Sequence, residues 1–199
     1  SDLDVSIVRP RTIIGHGRLG IMQIVFEWIR QGRNVPVLGG GNNLYQFVHA
    51  DDCVSACIAA ASAPPVIALA GAEEFCSMRA TLEGLIAHAG TASRVVSLPM
   101  APAVFGMKLT SKLGLSPLGA YHALMYGREM YFDITSTKKA LDWAPTWSNV
   151  AMFAQAYDWY LANRDQVLHG AHRSHHRSPV RQGVVLDAVS RILTLVPSR

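Results

Sequence analysis

Apolar residues recur along this chain at strand and helix periods in turn. Leu3 to Val8 is a short run containing β-branched residues that ends at Arg9-Pro10. Proline cannot donate to a sheet ladder, so the pattern predicts a strand that stops there and gives way to a loop punctuated by Gly15, Gly17 and Gly20. Ile21, Ile24, Val25, Trp28 and Ile29 then follow an i, i+3, i+4, i+7, i+8 stripe, which predicts a helix ended by Gly32. Val35 to Leu38 and Tyr45 to Val48 read as two strands in a hairpin-like connection through Gly39-Gly40-Gly41-Asn42-Asn43.

Asp51 or Asp52 is expected to cap an Ala- and Cys-rich helix reaching about Ala61, broken by Pro64-Pro65. A strand at Val66 to Leu69, a helix from Met78 to His88 and a strand at Arg94 to Leu98 follow. Met100 to Tyr131 weakens into short helices and loops. Asp133 precedes a short helix through Leu141, and Asn149 is expected to cap a helix burying Phe153, Ala156, Tyr157, Tyr160 and Leu161. The alternation predicts an α/β fold with too few strands for a full doubly wound sheet. Three segments are expected: a body over 1–165, a polar linker over 166–183, and an amphipathic helix over 184–199.

Half of the 199 residues are apolar and 16% are charged, which suits a globular body with a real core. The net charge of +4 sits in the tail, where six Arg from Arg164 onward face only Asp165 and Asp187. The body is therefore neutral, and a nucleic-acid partner is not expected. No apolar run reaches the roughly 18 residues that span a bilayer. The opening Ser1-Asp2-Leu3-Asp4 lacks a basic segment, and Cys53, Cys57 and Cys76 form an odd set without metal spacing. Both point to reduced thiols in a cytoplasmic protein, with Cys53 and Cys57 as small buried helix residues.

Several patterns invite chemistry. Gly15-His16-Gly17-Arg18-Leu19-Gly20 matches GxGxxG between a strand and a helix, the context of a dinucleotide fingerprint. Pro10 and four further residues separate it from the strand, however, and no strand ending in an acid follows at about 20 residues. Asp51-Asp52 reads as a helix cap with a first-turn acid rather than an acid/base pair. His169, His172, His175 and His176 could hold Zn²⁺ or Ni²⁺ on a helix, but Gly170, Arg173 and Arg177 favour a solvated basic linker. No metal ligand is therefore assigned. The last helix could dock on the body, pair with a second subunit, or make weak contact with an anionic membrane surface.

Three stretches in order carry a resemblance: Val8-Arg9-Pro10-Arg11-Thr12-Ile13-Ile14-Gly15-His16-Gly17; Val35-Pro36-Val37-Leu38-Gly39-Gly40-Gly41 with Phe47-Val48-His49-Ala50-Asp51-Asp52; and Phe132-Asp133-Ile134-Thr135 with Leu141-Asp142-Trp143-Ala144-Pro145. Together they resemble the C-terminal, substrate-binding portion of the extended short-chain dehydrogenase/reductase superfamily, the NAD-dependent epimerase/dehydratase family. The resemblance implies the C-terminal part of a Rossmann-like doubly wound fold with a small mixed α/β substrate-binding subdomain.

It also implies roles. Pro10, Arg11 and Thr12 fall where the family wraps the nicotinamide end of the cofactor, and Thr12, Leu19, Leu38, Tyr45, Gln46 and Arg128 fall around the substrate. The family's general acid/base is a Tyr with a Lys four residues on, which lowers its pKa. Here Tyr45, Tyr121, Tyr126, Tyr131, Tyr157 and Tyr160 are followed at that spacing by His, Met, Met, Thr, Leu and Arg. The chain is thus expected to be inactive alone, with NAD or NADP held by an N-terminal half or a second subunit. Tyr45 and Gln46 stand where many sugar-nucleotide members have Arg and Asp, Thr12 where they have Asn, and His16 where they have Pro. A phenol cannot neutralise a diphosphate as a guanidinium can, so a less charged substrate also fits. The other reading of the same residues is a non-catalytic scaffold protein pairing through an exposed sheet edge, and a homo-oligomer is expected under either.

Overall fold

The structure, a computed structural model, describes residues 4–113, 127–169 and 183–195. Its strands are short and pair in parallel, in three two-stranded sets. β1 (Ile7–Pro10) pairs with β5 (Ile67–Ala70), β2 (Thr12–Ile14) with β4 (Phe47–His49), and β3 (Val35–Leu38) with β6 (Val95–Leu98). Helices α1 (Met22–Arg30), α2 (Ala50–Ala61), α3 (Met78–Ala89), α4 (Met100–Lys112), α5 (Thr135–Leu141), α6 (Asn149–His169) and α7 (Gly183–Leu195) complete the described elements. The fold is the expected mixed α/β, Rossmann-like class.

Two features of the opening differ from the sequence pattern. Pro10 lies inside β1, opposite Ala70. Ile7 and Arg11 donate their N–H groups to Val66 and Ala70, so alternate residues Val8 and Pro10 face away from β5. The missing proline donor thus falls on the outer edge, where the ladder does not need it. The expected loop after it is also interrupted by β2, which pairs with β4 through only three residues.

The glycine run Gly39–Gly41 does not make a hairpin. Its flanking strands enter different pairs, because Gly39 and Gly41 take positive φ of 59° and 70° and turn the chain away. Gly41 allows this turn: a Cβ there would lie 2.8 Å from Val37.

The caps also differ from expectation. His49, not Asp51 or Asp52, caps α2, its ring accepting the Asp51 N–H at 3.2 Å. Asp51 and Asp52 occupy the first turn, where acids favour the helix dipole. Ser148, not Asn149, accepts a bond from Ala151 N at the start of α6. Asn149 instead joins strand to helix, accepting from Phe47 N and donating to Tyr45 O and the Thr81 hydroxyl.

The larger core gathers Phe26 and Ile29 of α1, Leu82 and Leu85 of α3, and Met152, Phe153, Tyr157 and Tyr160 of α6 around β2, β3 and β4. Leu161, expected inside, is exposed. A second core lies between α2, β5 and Trp143. Cys57 is exposed and Cys53 half-buried, so the thiol pair is less covered than expected.

One ionic knot ties α1 to α6. Glu27 accepts bonds from Arg30, Gln31, Arg164 and the Tyr160 hydroxyl. Burial pushes its carboxyl up, but these four donors together outweigh burial and hold it well below the usual glutamate range. Burial, then the bond to Glu27, raises the Tyr160 phenol.

The last helix docks on the body. Arg33 pairs with Asp187 at 2.6 Å, and the buried Asn34 donates to Leu193 O at 3.0 Å. His172, His175 and His176 lie outside the described residues. Among the described residues, no helix is long and apolar enough to cross a membrane.

Candidate functional site

Arg11 stands alone between β1 and β2, the point at which the chain leaves one parallel pair and joins the other. The step brings Arg11 and Thr12 beside Tyr45 and Gln46, the residues that enter β4. Thr12 Oγ1 and the Tyr45 hydroxyl share a hydrogen bond of 3.1 Å. The Arg11 guanidinium carbon lies 5.6 Å from the Tyr45 ring centre and 4.9 Å from that of Phe132.

That guanidinium is the least settled group of the site. Its Nε and Nη2 are buried and neither has a hydrogen-bond partner. Contact with two rings is worth about 0.5–2 kcal/mol each. Leaving charged donors buried and unpaired costs several kcal/mol, by an order-of-magnitude estimate. The balance favours an anion against Arg11.

Gln46 has another occupation. It is fully buried, its amide nitrogen donating to Ala72 O at 2.7 Å and its oxygen accepting from Phe132 N at 2.9 Å. The side chain thereby pins Phe132 in place beside Arg11. Gly71 makes room for it, since a Cβ there would lie 2.4 Å from the Gln46 amide. Gln46 and Phe132 also line an open cavity of about 440 Å³ with Glu73, Tyr131 and Lys138.

The other sequence-derived candidates scatter. Leu19 is buried in the larger core. Leu38 is buried at the end of β3 beside Gly127, and Arg128 is exposed, its carbonyl accepting from Asn43. Pro10 belongs to β1. Thr12, Tyr45, Gln46 and Arg11 are therefore one cluster, and the buried Leu38 and exposed Arg128 belong to a second place, around Gly127. Phe132 was not singled out from sequence as a ring above Arg11, because 121 residues separate the two and no local period links them.

The Gly15–Gly20 loop follows β2 and leads into α1. Gly15 packs against His49, and Gly17 faces Trp159. The His49 ring is fully buried and stacked on Trp147 at 4.3 Å. Asp52 is buried too, its carboxylate accepting from Thr146 N, the Thr146 hydroxyl and Trp147 N. A paired-carboxylate acid/base role has no geometry here, since Asp52 is saturated by those bonds while Asp51 faces solvent.

Comparison with known proteins agrees with this frame. Residues 1–68 match the NAD dependent epimerase/dehydratase family. The uncharacterized protein y4nG of Sinorhizobium fredii is 51% identical over 196 residues, 98% of this chain, and the chain spans about half the length of that relative, 49%. Among solved structures, the UDP-glucuronic acid 4-epimerase of Bacillus cereus in complex with NAD superposes with a TM-score of 0.60 at 16% identity, over 88% of this chain and 47% of that one. The UDP-glucose 4-epimerase of Thermotoga maritima with UDP-glucose gives 0.60 at 17% identity, over 80% and 46%. The dTDP-glucose 4,6-dehydratase of Bacillus anthracis in complex with NAD gives 0.54 at 15%, over 81% and 46%. The chain thus matches the NAD dependent epimerase/dehydratase family in sequence over residues 1–68 and shares the Rossmann-like fold of these enzymes over most of its own length.

Proposed function

We propose that this chain forms the substrate-side portion of an NAD(P)-dependent epimerase- or dehydratase-like oxidoreductase acting on a nucleoside-diphosphate sugar. The observation that carries the reading is the half-buried Arg11, whose covered Nε and Nη2 have no hydrogen-bond partner, beside the Thr12–Tyr45 hydroxyl pair. The positive charge that Tyr45 does not supply is present one strand away, which supports an anionic substrate over the less charged alternatives. NAD or NADP and the proton-transferring Tyr and Lys belong, in this reading, to a cofactor-binding half, in the same polypeptide or in a second subunit. That half takes hydride from a carbinol carbon, while this chain orients the sugar nucleotide and excludes water. By itself it turns over nothing.

The residues on hand support cofactor contact only at the rim. Pro10, Arg11 and Thr12 lie at the strand switch, and the chain alone holds no dinucleotide tightly. Calorimetric titration with NADH gives no tight binding under this reading. A micromolar Kd would transfer cofactor binding to the Gly15–Gly20 loop and overturn the division of labour. For the substrate, UDP is the probe: Arg11→Gln lowers its affinity at least about tenfold, the scale of one charge-assisted hydrogen bond. Equal binding of UDP by wild type and R11Q sinks the proposal.

A second reading rests on a different surface. The outer edge of β1 carries no partner strand among the described residues, and Ile7 and its register partner Ile67 are both exposed. Val54 and Ile58, one turn apart on α2, are exposed as well. A bare parallel edge with apolar neighbours favours pairing with another chain or another copy of this one. If the protein is a scaffold derived from the family, it assembles through this edge and R11Q leaves every measured binding unchanged.

A further inference from the structure

We infer that His16, His49 and Asp51 form a binding site for a divalent transition-metal cation of the Zn²⁺ type, distinct from the Arg11 cluster. One ligand atom from each of the three lies within 4.8 Å of the others. The three come from two parts of the chain, His16 from the glycine loop and His49 and Asp51 from the start of α2.

The arrangement of the rings is what distinguishes this cluster from an ordinary surface group. On one side, the two imidazoles face one carboxylate: His49 Nδ1 is 3.5 Å from Asp51 Oδ2, and His16 Nε2 is 3.9 Å from Asp51 Oδ1. On the other side, both remaining ring nitrogens meet one amide, that of Gln155. His49 Nε2 lies 3.3 Å from Gln155 Oε1, and His16 Nδ1 lies 3.1 Å from Gln155 Nε2. A metal-bound histidine needs a bare nitrogen toward the ion and an N–H anchored behind it. His49 has that pair of environments, its Nε2 facing the Gln155 oxygen; His16 Nδ1 faces the Gln155 nitrogen instead, so metal binding requires His16 to change tautomer and Gln155 to turn its oxygen toward it.

His49 already presents its lone pair on the correct side, because Nδ1 accepts the Asp51 N–H at 3.2 Å. The ring is held by its stack on Trp147, so its direction is fixed before any ion arrives. As it stands, an acceptor nitrogen and a carboxylate oxygen confront each other at 3.5 Å, and a cation between them replaces that opposition with two coordinate bonds. Ligand atoms now up to 4.8 Å apart close by as much as about 1.4 Å to reach the roughly 3.4 Å spacing of ligands held at about 2.1 Å on a tetrahedral ion. His16 and Asp51 are both exposed enough to move that far. The bond from Asp51 N is the contact surrendered.

Two imidazoles and a carboxylate suit Zn²⁺ and its neighbours rather than Ca²⁺ or Mg²⁺, which take oxygen ligands. Three protein ligands leave at least one position to water. Binding would fasten the Gly15–Gly17 loop to α2 and, through Gln155, to α6.

The test uses the full chain with His172, His175 and His176 changed to Ala, so that the tail contributes no imidazole pair. Calorimetry with Zn²⁺, and Co²⁺ as a visible-absorption probe, is expected to give one ion per chain. His16→Ala and Asp51→Asn each weaken Zn²⁺ binding at least about tenfold, and Gln155→Leu, acting only behind the ligands, weakens it by about 10–100-fold. Because His16 and Asp51 are surface residues, their apo variants should melt as the parent does, which separates lost binding from lost folding. No Zn²⁺ binding by the parent, or binding left intact in both H16A and D51N, overturns the site. Neither result bears on Arg11, whose UDP test is separate.

Discussion

The hydroxyls of Thr12 in β2 and Tyr45, on the segment entering β4, meet at 3.1 Å although 33 residues separate them in sequence. Their bond closes one side of the space beneath Arg11. Replacing Tyr45 by Phe keeps the ring against Phe47 and removes only this link. The expected loss is about 0.5–1.5 kcal/mol of stability, the usual net value of one such bond. Chemical denaturation checks the stability, and UDP titration should show a smaller loss of affinity for Y45F than for R11Q.

Glu27 makes stability depend on acid. Its folded pKa is lowered from the ordinary 4.5, so the folded chain binds fewer protons there than the unfolded chain. The contribution is therefore complete above about pH 4.5 and lost progressively as the pH falls below it toward the folded value. Thermal melts from neutral pH downward should show a steeper decline for wild type than for Glu27→Gln, the difference opening below about pH 4.5. Parallel curves would remove the ionic knot from the account of how α1 is held to α6.

Asp52 accepts from three donors in one short segment, Thr146–Trp147. Asp52→Asn keeps the shape but turns one acceptor into a donor facing donors. A cost of about 1.5–3 kcal/mol follows from losing hydrogen bonds to a charged group. The measurement is the denaturation midpoint, with UDP affinity read alongside as a control on the Arg11 cluster.

Gly71 is required by Gln46 rather than by its own backbone. Gly71→Ala puts a methyl 2.4 Å from the Gln46 amide, which is itself bonded to Ala72 O and Phe132 N. Overpacking of this kind costs about 1–3 kcal/mol. The displaced Phe132 should also loosen Arg11, so G71A is expected to weaken UDP binding although it touches no ligand. A G71A chain with unaltered melting and unaltered UDP affinity would refute this coupling.

Much of this was legible from the residues. The helical stripe at Ile21–Ile29, the strand at Val95 and the α/β class followed from hydrophobic period alone, because each is a local pattern reinforced by burial. The motif at Arg9–Thr12 falls at the strand switch where Arg11 and Thr12 meet Tyr45. What was not legible depended on contacts between distant positions. Nothing near Gln46 announces that its amide serves Ala72 and Phe132, so from sequence it looked like a substitution in a ligand position. His49 was quoted as part of a family segment, while its capping role and its meeting with His16 and Gln155 arise only when β2, α2 and α6 converge. The supposed Gly39–Gly41 hairpin failed for a similar reason: glycine marks a turn, but where the strands go next is set by long-range pairing.

The proline on the outer side of β1 sets a limit on whatever lies alongside it. A neighbouring strand can receive an N–H from Val8 on that side and none from Pro10, so a shared ladder lacks one donor at that residue. Only the Pro10 carbonyl is left to hold a companion strand at the point where β1 hands the chain over to Arg11. Any companion the edge acquires is therefore held more loosely next to Arg11 than at Val8.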